Sequence, residues 1–336
     1  MKKSLVPQIV LFSIAAMLVN YLVYFAFIST YTNNQYSEDA FIEHYSNDIY
    51  SYRVLSKPIV LGTYRLLGEA FPNSGNTVIN ESFYSLGANF SKKFYITMFL
   101  VNTLFFVLTI ITFVFIFNNY LINLTQKEKI LLQLAIVFFV AITQYVVVPY
   151  DMIGYFLQAM FILLLLSKAK YKLFYLGLII AISTLNRESS ALLISIAATA
   201  YYMTTGANRD TVKKIIFLTL FFLVPYIALR FMISVPDNNV ISELTFLSNF
   251  TVKRNLVGIA IWIVFFAISL ILTSDRKAKK AIYIFHLFSL PYIITCFTGA
   301  VMFETRLYIP ILLGSLVLCQ MNFEKIGKDK ITPNEQ

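Results

Sequence analysis

Thr184-Leu185-Asn186-Arg187-Glu188-Ser189-Ser190 lies between two apolar runs, 172–185 and 190–204, and its reading fixes the path of everything after it. Read as the middle of one helix, residues 172–204 would span 33 residues, and every later loop would change sides of a membrane. The basic loops 205–214 and 274–280 would then face outward, against the tendency of Lys and Arg to stay cytoplasmic. Read as a turn, it keeps them inside. The flanking runs are then about 14 and 15 residues, roughly 21 to 23 Å at 1.5 Å per residue, short of a roughly 30 Å hydrocarbon layer. The turn is therefore expected below the outer surface, where its backbone must be buried in protein or line a wet cavity.

Working outward from this turn, the rest of the chain has the same character. It has 336 residues, 58% hydrophobic and 13% charged, with 32 Phe and 22 Tyr and a mean hydropathy of +0.72. Soluble domains carry about 45 to 50% apolar and 25% charged residues, and disordered chains are far more polar. Lipid is the expected solvent. Apolar windows fall at about 5–28, 95–119, 130–148, 152–167, 172–185, 190–204, 215–233, 255–273, 281–299 and 307–321. The expected fold is an all-α polytopic membrane protein of about ten transmembrane helices, a single domain over 1–321 with a short cytoplasmic tail, 322–336. The first run is read as an uncleaved span, since it continues for over 20 residues without a small-residue cleavage site.

With the N-terminus inside, 17 of the 27 basic residues fall on inner segments, which carry a net charge of +11 against −1 outside. The overall charge of +10 is thus a topology signal, and basic loops beside anionic lipid account for it without a nucleic-acid partner. Both termini are expected in the cytoplasm. The one long outer segment, 29–94, is rich in Tyr, which suits a membrane interface, and 54–71 reads as a helix lying on the surface. Cys296 and Cys319 sit in apolar runs and read as filler.

Charges beside spans are costly, so each is a functional candidate. Asp48 and Arg53 in the outer loop, Asp151, Arg187 with Glu188, and Glu304 with Arg306 all map to outer ends. A shared outward cavity is expected. Asn186-Arg187-Glu188 reads either as a local pair that neutralises itself or as an anion site, Arg offering a planar fork that matches phosphate oxygens. Glu304 and Arg306 read either as a snorkelling pair at a helix end or as a second such site. Asp151 is equally a helix N-cap or a ligand. Arg230 reads as a snorkelling residue. Among Glu38, Asp39, Glu43 and Asp48, one could be a general base for an acceptor hydroxyl; each alone also reads as a solvated loop acid. His44 and His286 have no metal-ligand spacing, and no phosphate-loop, G-x-S-x-G or H-E-x-x-H pattern occurs.

Asn47-Asp48-Ile49-Tyr50-Ser51-Tyr52-Arg53-Val54-Leu55, Tyr150-Asp151, Leu185-Asn186-Arg187-Glu188-Ser189-Ser190 and Glu304-Thr305-Arg306-Leu307-Tyr308 together resemble bacterial multispanning proteins related to the GT-C glycosyltransferases. The resemblance covers most of the chain in order and topology, through short motifs. It implies a GT-C-like core and transfer of a sugar from a polyprenyl-phosphate-linked donor at the outer face of the inner membrane, in envelope polysaccharide synthesis. It also implies a catalytic acid in the first outer loop, Asp48 first and Asp39 second. Arg53, Arg187 and Arg306, with Asn186, Glu188, Asp151 and Glu304, would then bind the lipid phosphate. A divalent cation could assist, although the sequence offers it no dedicated site. A transporter or flippase of lipid-linked saccharide and a non-catalytic assembly subunit are the rival classes.

Overall fold

A computed structural model describes residues 5–26, 37–46, 49–70, 91–121, 124–233, 243–273, 275–321 and 323. Among them the chain is helical throughout, with no strand. The helices are α1 (Leu5–Ala26), α2 (Glu38–His44), α3 (Ser56–Ala70), α4 (Lys92–Asn119), α5 (Gln126–Ile142), α6 (Pro149–Leu166), α7 (Lys172–Asn186), α8 (Ala191–Thr205), α9 (Arg209–Met232), α10 (Glu243–Thr251), α11 (Lys253–Leu272), α12 (Arg276–Phe288), α13 (Leu290–Gly299) and α14 (Ile309–Leu318). Five of them, α1, α4, α6, α9 and α11, are long and apolar enough to cross a membrane. The pair α12 and α13, bent by 51° at Ser289, makes a sixth if it is one span.

Among the described residues the ten apolar windows thus give five or six helices of membrane-crossing length. At 15 residues α7 and α8 reach about 22 Å, the short length expected of the runs beside the turn, while α14, at 10 residues, reaches about 15 Å. The reason lies in packing. α14 is buried on all sides from Ile309 to Ser315, wedged among α5, α8, α11 and α12, so its apolar character reports a protein interior and not contact with lipid. By contrast α1 exposes Val6, Val10, Leu11, Ile14, Met17 and Leu18 along one face, and α9 and α11 are equally bare. Such broad apolar surfaces suit a lipid solvent.

Helix starts are set by local chemistry. Ser91 and Asn208 cap α4 and α9 by accepting from Phe94 N at 3.3 Å and Thr211 N at 2.8 Å. Thr125 and Glu128 form a reciprocal capping box at α5. Inside the helices the hydroxyls of Thr97, Thr109, Thr112, Thr184 and Thr199 each donate to the carbonyl four residues earlier, which satisfies them without water. Asn102 Nδ2 donates to Gln144 Oε1 at 3.0 Å, joining α4 to the turn after α5.

The main core runs along α4, α5, α6, α8 and α14 through Phe106, Phe113, Phe117, Phe161 and Leu313. A second core sits at one end, where Phe41 and Tyr45 of the α2 region and Val60 and Leu61 of α3 pack on Tyr24, Phe94, Tyr95 and Tyr150. It fixes the segment between α1 and α4 over the starts of α4 and α6. The helix expected over 54–71 is present as α3, with Pro58 in its first turn, where proline is tolerated.

Candidate functional site

The second core delivers one arginine. After a 3₁₀ turn over Ile49–Tyr52, Arg53 N donates to Tyr50 O at 3.0 Å, and Leu55 N donates to Leu185 O at 3.0 Å. The second bond pins this segment to the end of α7. Arg53 is only 8% exposed, and its guanidinium carbon lies 3.8 Å from the Tyr150 ring centre and 4.6 Å from that of Tyr50. Its Nε and Nη1 are buried and have no hydrogen-bond acceptor among the described residues. Aromatic faces partly replace the lost hydration, but they accept no hydrogen bond in the plane of the fork.

Tyr150 and Asp151 stand in the first turn of α6, which Pro149 opens, and both are 1% exposed. Val148 is the N-cap, so the capping role allowed for Asp151 does not occur. The Asp151 carboxylate instead joins two arginines: Oδ1 accepts from Arg187 Nη1, and Oδ2 from Arg306 Nη1 at 3.5 Å. The same Arg306 nitrogen donates to Tyr150 Oη at 2.8 Å, while Arg306 Nε and Nη2 meet Glu304 Oε2 at 2.8 and 2.7 Å. Arg306 is buried at 6% exposure, which rules out the snorkelling pair.

The Asn186-Arg187-Glu188 turn is not a self-neutralising pair either. Arg187 breaks α7 in an extended conformation, φ −167° and ψ 145°, which sends its side chain to Asp151. Glu188 faces Arg230 at 3.3 Å, and Arg230 lies 3.7 Å from the Tyr52 ring centre. Arg230 thus ties α9 to the turn and to the α2–α3 segment instead of snorkelling. Asn186 is fully buried; Nδ2 donates to Tyr150 O at 2.7 Å, and Oδ1 has no partner among the described residues.

The turn that carries Glu304 and Arg306 is held from three directions. Asn249 of α10 donates to Phe297 O at 2.9 Å and Ala300 O at 2.8 Å and accepts from Met302 N at 3.0 Å. Tyr292 Oη donates to Leu307 O at 3.0 Å. On α11, a Cβ at Gly258 would stand 1.9 Å from Met302 O, so only glycine allows the approach.

Arg53, Arg187 and Arg306 thus surround the Tyr150 ring, their guanidinium carbons 3.8, 5.5 and 5.9 Å from its centre. Three cations meet two carboxylates, Asp151 and Glu304, leaving one positive charge in excess among the described residues. Burial pushes the Tyr50 hydroxyl up from its ordinary value, Tyr150 adds to the rise, and Arg53 opposes it. Beneath the cluster is a cavity of about 20 Å³ bordered by Asp151, Gly154, Gln158, Asn186, Arg187 and Ser190, the size of one water.

The sequence-derived site is therefore largely brought together: Arg53, Asp151, Asn186, Arg187, Glu304 and Arg306 share one cluster, and Glu188 lies at its edge. Asp48 falls outside the described residues. Asp39 is exposed in the first turn of α2, and among the described residues no ion pair joins it to the arginines. Tyr150, the centre of the arrangement, and Gln158 were not singled out by sequence; the one signal for Tyr150 is its place beside Asp151 at a proline-started helix. No group of three His, Cys, Asp or Glu side chains among the described residues could hold a metal ion.

Comparison of the chain with protein-family models, with curated proteins and with solved structures gave no match. Fold and site together define a helical chain with several apolar helices of membrane-crossing length and a buried arginine cluster where helix ends meet.

Proposed function

We propose that this protein is a membrane glycosyltransferase or polysaccharide polymerase that takes its sugar from a polyprenyl-phosphate-linked donor on the extracytoplasmic side. The observation that carries the reading is Arg53: a buried guanidinium with two nitrogens that have no acceptor among the described residues, beside two further arginines that one carboxylate joins. A buried cation without an acceptor costs several kcal/mol, roughly, unless an anion completes it. A phosphate group, with several acceptor oxygens, suits either nitrogen.

In the reaction, the acceptor hydroxyl oxygen bonds to the anomeric carbon, and the bond from that carbon to the donor phosphate breaks. Its electron pair leaves on the lipid phosphate, whose growing charge the arginines stabilise. The acceptor proton passes to a carboxylate, Asp48 by the family likeness. Asp151 and Glu304, committed to arginines, hold the cluster in shape. In this reading α5, α7, α8 and α14 complete a ten-span bundle with a GT-C-like core in the bacterial inner membrane, both termini cytoplasmic.

A carrier of lipid-linked saccharide is the competing class. Charges gathered where helix ends meet, and not midway along the helices, favour transfer chemistry. Lipid-linked saccharide formation in cells expressing Asp48→Asn, Arg53→Ala or Arg187→Ala tests the proposal. Loss of product at equal protein level is expected; normal product from all three refutes it.

A further inference from the structure

A second, larger hollow lies away from the arginine cluster. Between the end of α4, the end of α6 and the start of α7 is a groove of about 480 Å³ bordered by Phe115, Met160, Leu163, Leu164, Tyr175 and Leu178. Asp151 begins α6 and Leu164 nearly ends it, so the groove lies about 20 Å along α6 from the cluster at 1.5 Å per residue. Its walls are almost wholly carbon, and Leu178 and Tyr175 are open to the surroundings at 37% and 46% exposure. In water such a hollow would be a liability; beside lipid it is a seat for hydrocarbon.

The groove ends at Ser167, and the link that follows is basic. Lys168, Lys170 and Lys172 fall within five residues, the first two exposed. Lys172 Nζ donates to Leu165 O at 3.0 Å and Ser167 O at 2.7 Å, fixing a positive charge at the rim. Lys170 Nζ lies 5.4 Å from the Tyr171 ring centre. An apolar trough with the Lys172 ammonium beside its Ser167 border and two further lysines in the adjoining link is complementary to a molecule with an apolar chain and an anionic head. We infer that this groove binds one anionic glycerophospholipid, an acyl chain along Leu163, Leu164 and Leu178 and the phosphate at the 168–172 link. Basic clefts between membrane helices select such head groups. The inference is independent of the reaction proposed above.

The test is native mass spectrometry of the full chain after release from vesicles of equal parts phosphatidylcholine and phosphatidylglycerol. Wild type is expected to retain phosphatidylglycerol in preference. Lys168→Ala with Lys170→Ala should weaken retention about fivefold for each lysine removed. Leu178→Trp, at a half-open position, should fill the trough and abolish retention while the unfolding temperature holds. Equal retention of both lipids by wild type would overturn the inference. So would a preference that neither variant alters, which would mean adventitious surrounding lipid only.

Discussion

Arg187 pairs with Asp151, thirty-six positions earlier, and not with Glu188 beside it. That one choice of partner turns a local turn into a tie between α7 and α6, and through Asp151 Oδ2 it reaches Arg306, 155 positions from Asp151. Removing the shared carboxylate should therefore be far worse than removing its exposed neighbour. Asp151→Asn leaves the buried Arg187 without its carboxylate and Arg306 with Glu304 alone, and should cost about 3 to 5 kcal/mol. Glu188→Gln should cost about 0 to 1 kcal/mol, because Glu188 and Arg230 are 34% and 38% exposed. Thermal unfolding in detergent measures both; equal losses would mean Asp151 is not the hub.

Gly258→Ala should disturb the cluster without touching it. The added methyl meets Met302 O and must push the 300–304 segment away, at about 1 to 3 kcal/mol. Asn249→Ala removes three hydrogen bonds from the same segment and should act alike. Each variant should lose transferase product more than stability alone explains. Unfolding temperature and product, measured side by side, check this, and wild-type product at normal stability would contradict it.

The Thr125–Glu128 capping box makes a pH prediction at the start of α5. Glu128 accepts from the Thr125 backbone and side chain, which holds its carboxyl below the ordinary 4.5. A depressed folded value means that the contribution is complete above the unfolded value and fades as pH falls through the folded one. Wild type and Glu128→Gln should differ in unfolding temperature at neutral pH and converge below pH 4.5. A difference that persists in acid would show that the charge is not responsible.

The helical class and the gathering of charges at one end were legible in the sequence, because hydropathy and the basic-loop bias act on stretches of chain. Pairing was not. Arg187 with Glu188 and Glu304 with Arg306 are neighbours in sequence, and only the second pair survives folding, since Asp151 competes for Arg187 from another helix. Helix surroundings are likewise not written in hydropathy. α14 is as apolar as any lipid-facing segment, and only packing reveals that protein surrounds it. Tyr150 carries no charge and stood among 22 tyrosines, noted in sequence only as the neighbour of Asp151, and the three converging arginines are what mark it out.

Arg53 is the centre of the proposed anion site. Purified wild type and Arg53→Met, which keeps the apolar stem without the charge, can be unfolded thermally with and without polyprenyl phosphate. Without ligand the variant should match or exceed wild type, because a buried charge with no acceptor for Nε and Nη1 among the described residues is gone. With ligand only wild type should gain, by several degrees. Equal gains in both proteins, or a variant that loses stability without ligand, would contradict an anion site at Arg53.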